Sequence, residues 1–163
     1  MIRKLFPHPY LTLLLVLTWM MLVNEIKLGS LVFALILGTL IPWATGPYWP
    51  DRPALRNLPV ILSYIAVVGW DILKSNFIVA GIVLFKPNAK LQPAWITIPL
   101  DLRAPEAITV LAGSITMTPG TLTADMSADG HALLVHCLHA PDPDAVRDDI
   151  KARYETRLMR IFE

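Results

Sequence analysis

The stretch Leu58 to Phe85, LPVILSYIAVVGWDILKSNFIVAGIVLF, decides how the chain is organised. The residues before it are apolar enough for a lipid bilayer, and those after it have the composition of a water-exposed domain. As one helix of roughly 28 residues rising 1.5 Å each it is about 42 Å long, more than a hydrocarbon core of about 30 Å. It is not uniformly apolar. On a helical wheel Ser63, Tyr64, Asp71, Lys74 and Ser75 share one face, while Ile61, Ile65, Val68, Ile72 and Val79 fall on another. Such a helix wants lipid or apolar protein on one side and water or polar protein on the other. It is the seam between a membrane anchor and a soluble domain.

Composition supports the division. Of the 163 residues, 55% are hydrophobic, and the mean hydropathy of +0.53 exceeds what an ordinary soluble domain carries. The excess lies before Lys86. A net charge of +1, with no cluster of Lys and Arg among aromatics, argues against nucleic-acid binding. A lone cysteine, Cys137, excludes an intrachain disulfide framework and a cysteine-rich zinc site. It fits a small buried apolar residue on a strand.

Arg3 and Lys4 ahead of the apolar run Leu11 to Val23 resemble the start of a secretory signal. No small-x-small cleavage site comes after it, however, and a second apolar run begins after Asn24, Glu25, Ile26 and Lys27. The expectation is a retained anchor. Pro9 to Val23 is a first membrane helix. Leu28 to Thr45 is a second, stopped by the breakers Pro47, Pro50 and Pro53, with Trp43, Tyr48 and Trp49 suited to the headgroup level. The hairpin has a tight turn and short arms, about 22 Å for ~15 residues, so the bilayer thins locally or the hairpin sits against larger neighbours.

With the N-terminus inside, Arg3, Lys4, Arg52 and Arg56 lie on the cytoplasmic side and only Lys27, beside Glu25, on the far side. A crossing third helix puts Lys86, Lys90 and Arg103 outside and erases that bias; a helix lying along the inner interface strengthens it. Asp71 and Lys74 make a crossing costly, about 2.5 to 3.5 kcal/mol each at the bilayer centre. A cytoplasmic C-terminal domain is therefore expected, with a three-span chain as the alternative.

After Pro87 the pattern changes. Ala94 to Leu100 is rich in β-branched and aromatic residues and predicts a strand. Ala104-Pro105-Glu106 starts a helix that ends before Pro119, although Thr109, Val110, Ile115 and Thr116 make a strand a competitor. Thr121 to Met126 and His131 to His139 predict two strands joined by Ser127-Ala128-Asp129-Gly130. Asp142 caps a last helix beginning at Pro143, with Val146, Ile150, Tyr154, Leu158 and Ile161 as its apolar stripe. Acids Asp144, Asp148 and Asp149 stand at its start, Arg157 and Arg160 at its end, matching the macrodipole. The expected fold is an α+β membrane protein: a transmembrane helical hairpin and loop (1–57), an amphipathic interfacial or third membrane helix (58–86), and a small cytoplasmic β-α-β-β-α domain (87–163). The last is similar to a ferredoxin-like domain lacking its final strand.

The residues Ser114-Ile115-Thr116-Met117-Thr118-Pro119-Gly120-Thr121-Leu122-Thr123, followed by Asp125 and by Leu134-Val135-His136-Cys137-Leu138, resemble the E subunit of the Mrp-type (Mnh or Pha) cation/proton antiporters. Leu73-Lys74-Ser75-Asn76, Val79-Ala80, Val83-Leu84 and Lys86-Pro87 also look like that family, as does the double-apolar N-terminus. The resemblance covers essentially the whole chain; Met117 stands where Leu is commoner, a volume-conserving change. It implies an accessory subunit of a multi-subunit bacterial inner-membrane complex that exchanges Na⁺ or K⁺ for H⁺. Its partners would be the other antiporter subunits and the lipid bilayer, and the large subunits would carry the ion pathways.

The residues singled out are Asp71, Lys74, Ser75, Asn76, Thr116, Thr118, Pro119, Gly120, Thr121, Asp125 and His136, as signature or partner-interface positions. Thr118-Pro119-Gly120-Thr121 predicts a type II turn, which is also able to serve as an interface. Asp71 and Lys74, one helical turn apart, form either an interfacial ion pair or a proton relay. Glu25, with Lys27 nearby, suits a solvated loop. Asp125 is placed to pair with a histidine across the hairpin. His131 and His139 share a strand parity that His136 lacks, and no cysteine stands at ligand spacing, so no metal site is expected. No nucleophile with its base and no phosphate loop is evident, so neither catalysis nor a cofactor is expected. Two other functions fit the same residues: a membrane-anchored regulatory or ligand-sensing module, and a small homo-oligomeric transporter working through Asp71.

Overall fold

The computed structural model describes residues 9–48 and 56–163; Arg3, Lys4, Trp49, Pro50, Arg52 and Pro53, used above for topology and chain breaking, lie outside them. Backbone proximity divides the chain into two units, Met1–Arg52 and Pro53–Glu163.

In the first unit α1 (Pro9–Val23) and α2 (Leu28–Thr45) form an antiparallel hairpin joined through Asn24 to Lys27, and a 3₁₀ turn at Gly46–Tyr48 follows α2. Asn24 ends α1 in the left-handed region, φ +52°, with its N–H donating to the Met20 carbonyl at 3.1 Å; asparagine tolerates that conformation better than most residues. Glu25 and Lys27 form an exposed ion pair at 2.6 Å. The two helices meet through small side chains. Ala34, Gly38 and Pro42, spaced by four on α2, are buried, as is Thr12 on α1. A Cβ added at Gly38 would lie 2.9 Å from Val16 Cγ2 and 3.1 Å from the Thr12 carbonyl oxygen. Backbones approach this closely in lipid only through such residues, because dispersion and not apolar burial drives association there. Trp19 and Phe33 add a tilted ring contact at 4.9 Å.

The second unit is built on α3 (Leu58–Phe85) and a three-stranded antiparallel sheet, β1 (Ala94–Pro99), β2 (Thr121–Met126) and β3 (Ala132–Cys137), in the order β1-β3-β2. The helix α4 (Pro105–Met117) connects β1 to β2, so the strand competitor at Thr109 to Thr116 loses to the helix. Thr109 and Ser114 donate their hydroxyls to the carbonyls of Pro105 and Val110 at 2.8 Å each, which lets polar residues sit inside a helix. The hairpin turns through Gly130 at φ +74°. Asp142 accepts from the Ala145 N–H at 3.0 Å and caps α5 (Pro143–Ile150). That helix continues through a π turn, Lys151–Glu155, into α6 (Thr156–Phe162). The turn has a cause in the sequence: Val146, Ile150, Tyr154 and Leu158 are separated by four throughout, a spacing that drifts around an α-helix, and one wider turn absorbs the drift.

The core lies on one face of the sheet, where Ile96, Ile98, Leu133, Val135 and Cys137 meet Leu111 and Ile115 of α4, Tyr154, Leu158 and Ile161 of the C-terminal helices, and Tyr64 and Val68 of α3. The long helix is thus part of this core. The structure divides both faces named from the wheel: Tyr64, Asp71 and Ser75 turn inward with Ile61, Val68 and Ile72, while Ser63, Lys74 and Ile65 stay exposed. The side left exposed is formed by Leu62, Ile65, Trp70, Leu73, Phe77 and Leu84.

Candidate functional site

Most of the signature residues, all but Asn76, Asp125 and His136, converge where α4, β2 and α3 meet. Thr118 to Thr121 is the expected turn: the Thr121 N–H donates to the Thr118 carbonyl at 3.2 Å, and Gly120 has φ +92°, a conformation costly for any side chain. A Cβ there would also stand 3.0 Å from Val79 Cγ2, so the turn seats directly on α3. Around it the threonines cover the free edge of β2. Thr116 Oγ1 accepts from the Thr123 N–H at 3.2 Å, and Thr123 Oγ1 donates to the Ala112 carbonyl at 3.1 Å. Thr121 Oγ1 lies 2.6 Å from the Ile115 carbonyl and 2.9 Å from that of Thr118, whose own hydroxyl donates to the Ser114 carbonyl at 2.9 Å. Orphan carbonyls at the helix end and ladder groups of an edge strand are satisfied by the same side chains.

Asp71 faces the domain. Arg153 donates to its carboxylate through Nε at 3.2 Å and Nη2 at 2.5 Å, and the Tyr154 hydroxyl donates to Oδ2 at 3.0 Å. Its side chain is 13% exposed, that of Arg153 39%. The pairing expected with Lys74 is replaced by one with Arg153, because Asp71 lies on the domain side of α3 and Lys74 at its exposed border. The Asp71 hydrogen bond raises the Arg153 guanidinium above its ordinary range. Burial, reinforced by the bond to Asp71, pushes the Tyr154 phenol up to about 12. Nearby, the Tyr64 hydroxyl is 2.6 Å from Ser114 Oγ, which spends its own proton on the Val110 carbonyl, so Tyr64 is the donor. Tyr64 and Tyr154 meet edge to face at 6.3 Å. Asp71, Lys74, Ser75, Thr118, Thr121 and Arg153 border a single cavity of 380 Å³. The helix and turn halves of the signature thus share one site.

Other positions lie elsewhere. Asn76 donates to the Ile72 carbonyl at 2.8 Å on the exposed side of α3. Among the described residues Asp125 pairs with no histidine: an irregularity between Thr123 and Asp125 shifts the register and sets it opposite Leu134, and its carboxylate accepts from the Met126 N–H at 2.8 Å. With Thr116 and His131 it borders a second groove of 840 Å³ between α4 and the hairpin. His136 meets Trp95 at a tilt, ring centroids 4.8 Å apart, on the open face of the sheet, whereas His139 accepts from the Gln92 N–H at 3.1 Å and meets Lys86 at 2.5 Å. Among the described residues no three His, Cys, Asp or Glu side chains gather as a metal would require. Burial raises the Cys137 thiol, which leaves it unreactive.

Two important residues escape a reading by sequence. Arg153 is the partner of Asp71 from 82 positions away. Glu155, 2% exposed, accepts from the N–H groups of Asp101 and Leu102 at 2.7 and 3.2 Å and pairs with Lys151 at 2.6 Å. Burial works against the Lys151 charge, but Glu155 and Asp101 outweigh it and raise the ammonium above its ordinary range. The i,i+4 spacing of Lys151 and Glu155 is a local signal of their pairing; that the pair closes the β1–α4 loop has no such signal. Asp71, Arg153, Tyr154, Thr118 and Thr121 are each hydrogen-bonded, and what they do chemically is lock α3, the signature turn and the C-terminal helix together.

The family of the Na⁺/H⁺ ion antiporter subunit matches residues 12–161. The E subunit of the probable K⁺/H⁺ antiporter of Rhizobium meliloti (strain 1021) is 33% identical over 161 residues, 99% of each chain. The E subunit of the Na⁺/H⁺ antiporter of Alkalihalophilus pseudofirmus is 23% identical over 151 residues, covering 93% of this chain and 95% of that one. In fold, the chain is similar to one in the membrane-bound sulfane sulfur reductase, an archaeal respiratory membrane complex, with a TM-score of 0.73 and 24% identity over 94% of this chain and 97% of that one. The chain belongs to the family formed by the E subunits of Na⁺/H⁺ and K⁺/H⁺ antiporters.

Proposed function

We propose that the chain is a non-catalytic accessory subunit of a multi-subunit antiporter of the bacterial inner membrane, one that exchanges Na⁺ or K⁺ for H⁺, and that it supports assembly while other subunits carry the ions. The observation that carries this is the state of Asp71. It is the one carboxylate in the described apolar helices, and Arg153 and Tyr154 hold it. A carboxylate neutralised by a bidentate arginine is a structural tie, not a group poised to exchange protons.

The hairpin within residues 1–57 then anchors the chain, residues 58–86 link anchor to domain, and residues 87–163 cap the cytoplasmic face. A ferredoxin-like domain without its last strand is supported by the β-α-β-β-α order and by β3 pairing antiparallel with both neighbours. The signature residues Lys74, Ser75, Asn76, Thr116, Thr118, Pro119, Gly120 and Thr121 act by fixing the shape that partners meet. Deleting the chain from cells that keep the other subunits should weaken sodium or alkali tolerance, and vesicles holding this chain alone should show no cation-dependent proton flux. Flux from the chain alone, abolished by Asp71→Asn, would overturn the proposal.

A further inference from the structure

Two features of α3 stand together. Its outward side is largely apolar: Leu62, Ile65, Trp70, Leu73, Phe77 and Leu84 are each more than half exposed, Phe77 by 80%, and the one amide among them, Asn76, spends a donor on the Ile72 carbonyl of its own helix. Its inward side is tied to the polar domain from end to end. The Arg56 N–H donates to the Ile161 carbonyl at 2.9 Å at the start, Asp71 meets Arg153 in the middle, and Lys86 meets His139 at the close.

We infer that α3 does not cross the bilayer but lies flat on it, its outward face sunk among the lipids at the boundary of headgroups and acyl chains. This deepens the membrane-subunit reading and rests on it. A crossing would carry Arg153, Asp149 and Lys151, which move with the helix, into hydrocarbon. Charge also favours lipid as the occupant. The exposed face has no acidic residue, and cations flank one border: Lys74, and at the groove between α3 and α6 Arg157 and Arg160, placed for anionic headgroups. Trp70 on that face has the amphipathic ring that suits this depth.

The test uses the complex purified through a tag on this chain and reconstituted in nanodiscs of phosphatidylcholine and phosphatidylglycerol. Spin labels are placed one at a time at Leu62→Cys, Ile65→Cys, Leu73→Cys, Phe77→Cys and Leu84→Cys, with the buried Cys137 left in place, and depth is read from accessibility to oxygen against a nickel chelate. All five should lie at one depth, about 5 to 10 Å below the phosphates. A crossing helix would instead separate Leu62→Cys from Phe77→Cys by roughly 22 Å and overturn the inference. Labels shielded from both reagents, meaning that a partner subunit or second copy covers the face, or labels open only to the nickel chelate, would overturn it equally. Subunits copurifying in the same sample separate the two levels. Their presence confines such a failure to the docking, while a flat depth profile on a chain isolated alone would keep the docking and remove the subunit reading.

Discussion

Asp71→Asn is the substitution on which the structural account turns. The carboxylate takes three hydrogen bonds, two from Arg153 and one from Tyr154; the carboxamide accepts with one oxygen and sets its NH₂ against the donors. Charge-assisted bonds contribute about 1.5 to 3 kcal/mol in mutational series. The Arg153 side chain is 39% exposed, so solvent takes back part of this, leaving about 2 kcal/mol. The unit that holds the pair, Pro53–Glu163, lies just above the 60–100-residue domains that lose about 4 to 8 °C per kcal/mol and takes the low end of that range, so the unfolding midpoint should fall by roughly 8 °C. Tryptophan fluorescence of the purified chain in mild detergent reads this through Trp70 and Trp95. In an Arg153→Met background the further cost of Asp71→Asn should drop below about 1 kcal/mol, the mark of a coupled pair, and Lys74→Gln should stay within about 0.5 kcal/mol of the parent. An unchanged midpoint for Asp71→Asn, together with loss of exchange by the assembled complex, would refute the reasoning and place Asp71 on an ion path.

Gly120→Ala adds a Cβ at φ +92° and 3.0 Å from Val79 Cγ2, so it should cost about 1 to 3 kcal/mol; chemical denaturation measures this, and a neutral result would mean the turn is not seated on α3. Glu155→Gln removes the charge that balances Lys151 at 2.6 Å in a fully buried position and should destabilise by about 1 to 3 kcal/mol, with faster amide exchange at Asp101 and Leu102. Tyr154 links stability to pH: its folded pKa of about 12 exceeds the ordinary 10.0, so its contribution is whole below pH 10 and is lost as pH rises from 10 through 12. The loss is on the order of 2 to 3 kcal/mol, and Tyr154→Phe should flatten that part of a stability–pH curve.

Local rules make much of this fold legible. The runs Pro9–Val23 and Leu28–Thr45, the proline start at Pro105, the Asp129-Gly130 hairpin and the Asp142 cap each depend on neighbours within a few residues, and the helices and strands fall where those signals put them. What stays hidden depends on distance. A helix apolar on nearly every side gives a wheel that cannot say which apolar side the domain covers, so Leu62, Trp70, Leu73 and Phe77 carry no mark and Tyr64 reads as a water-facing residue. Arg153 reads as one more surface cation until the fold brings it to Asp71. The Ala124 irregularity, which denies Asp125 a histidine partner, and the π turn, which buries Glu155, are answers to packing that no local pattern announces.

The most direct test of the central claim is the subunit composition and native mass of what copurifies with a C-terminally tagged chain from its own membranes. The account predicts several antiporter subunits in fixed ratio, with cation-dependent proton flux only when they are present. A lone chain or a homo-oligomer, stable across mild detergents and active in vesicles by itself, would contradict it.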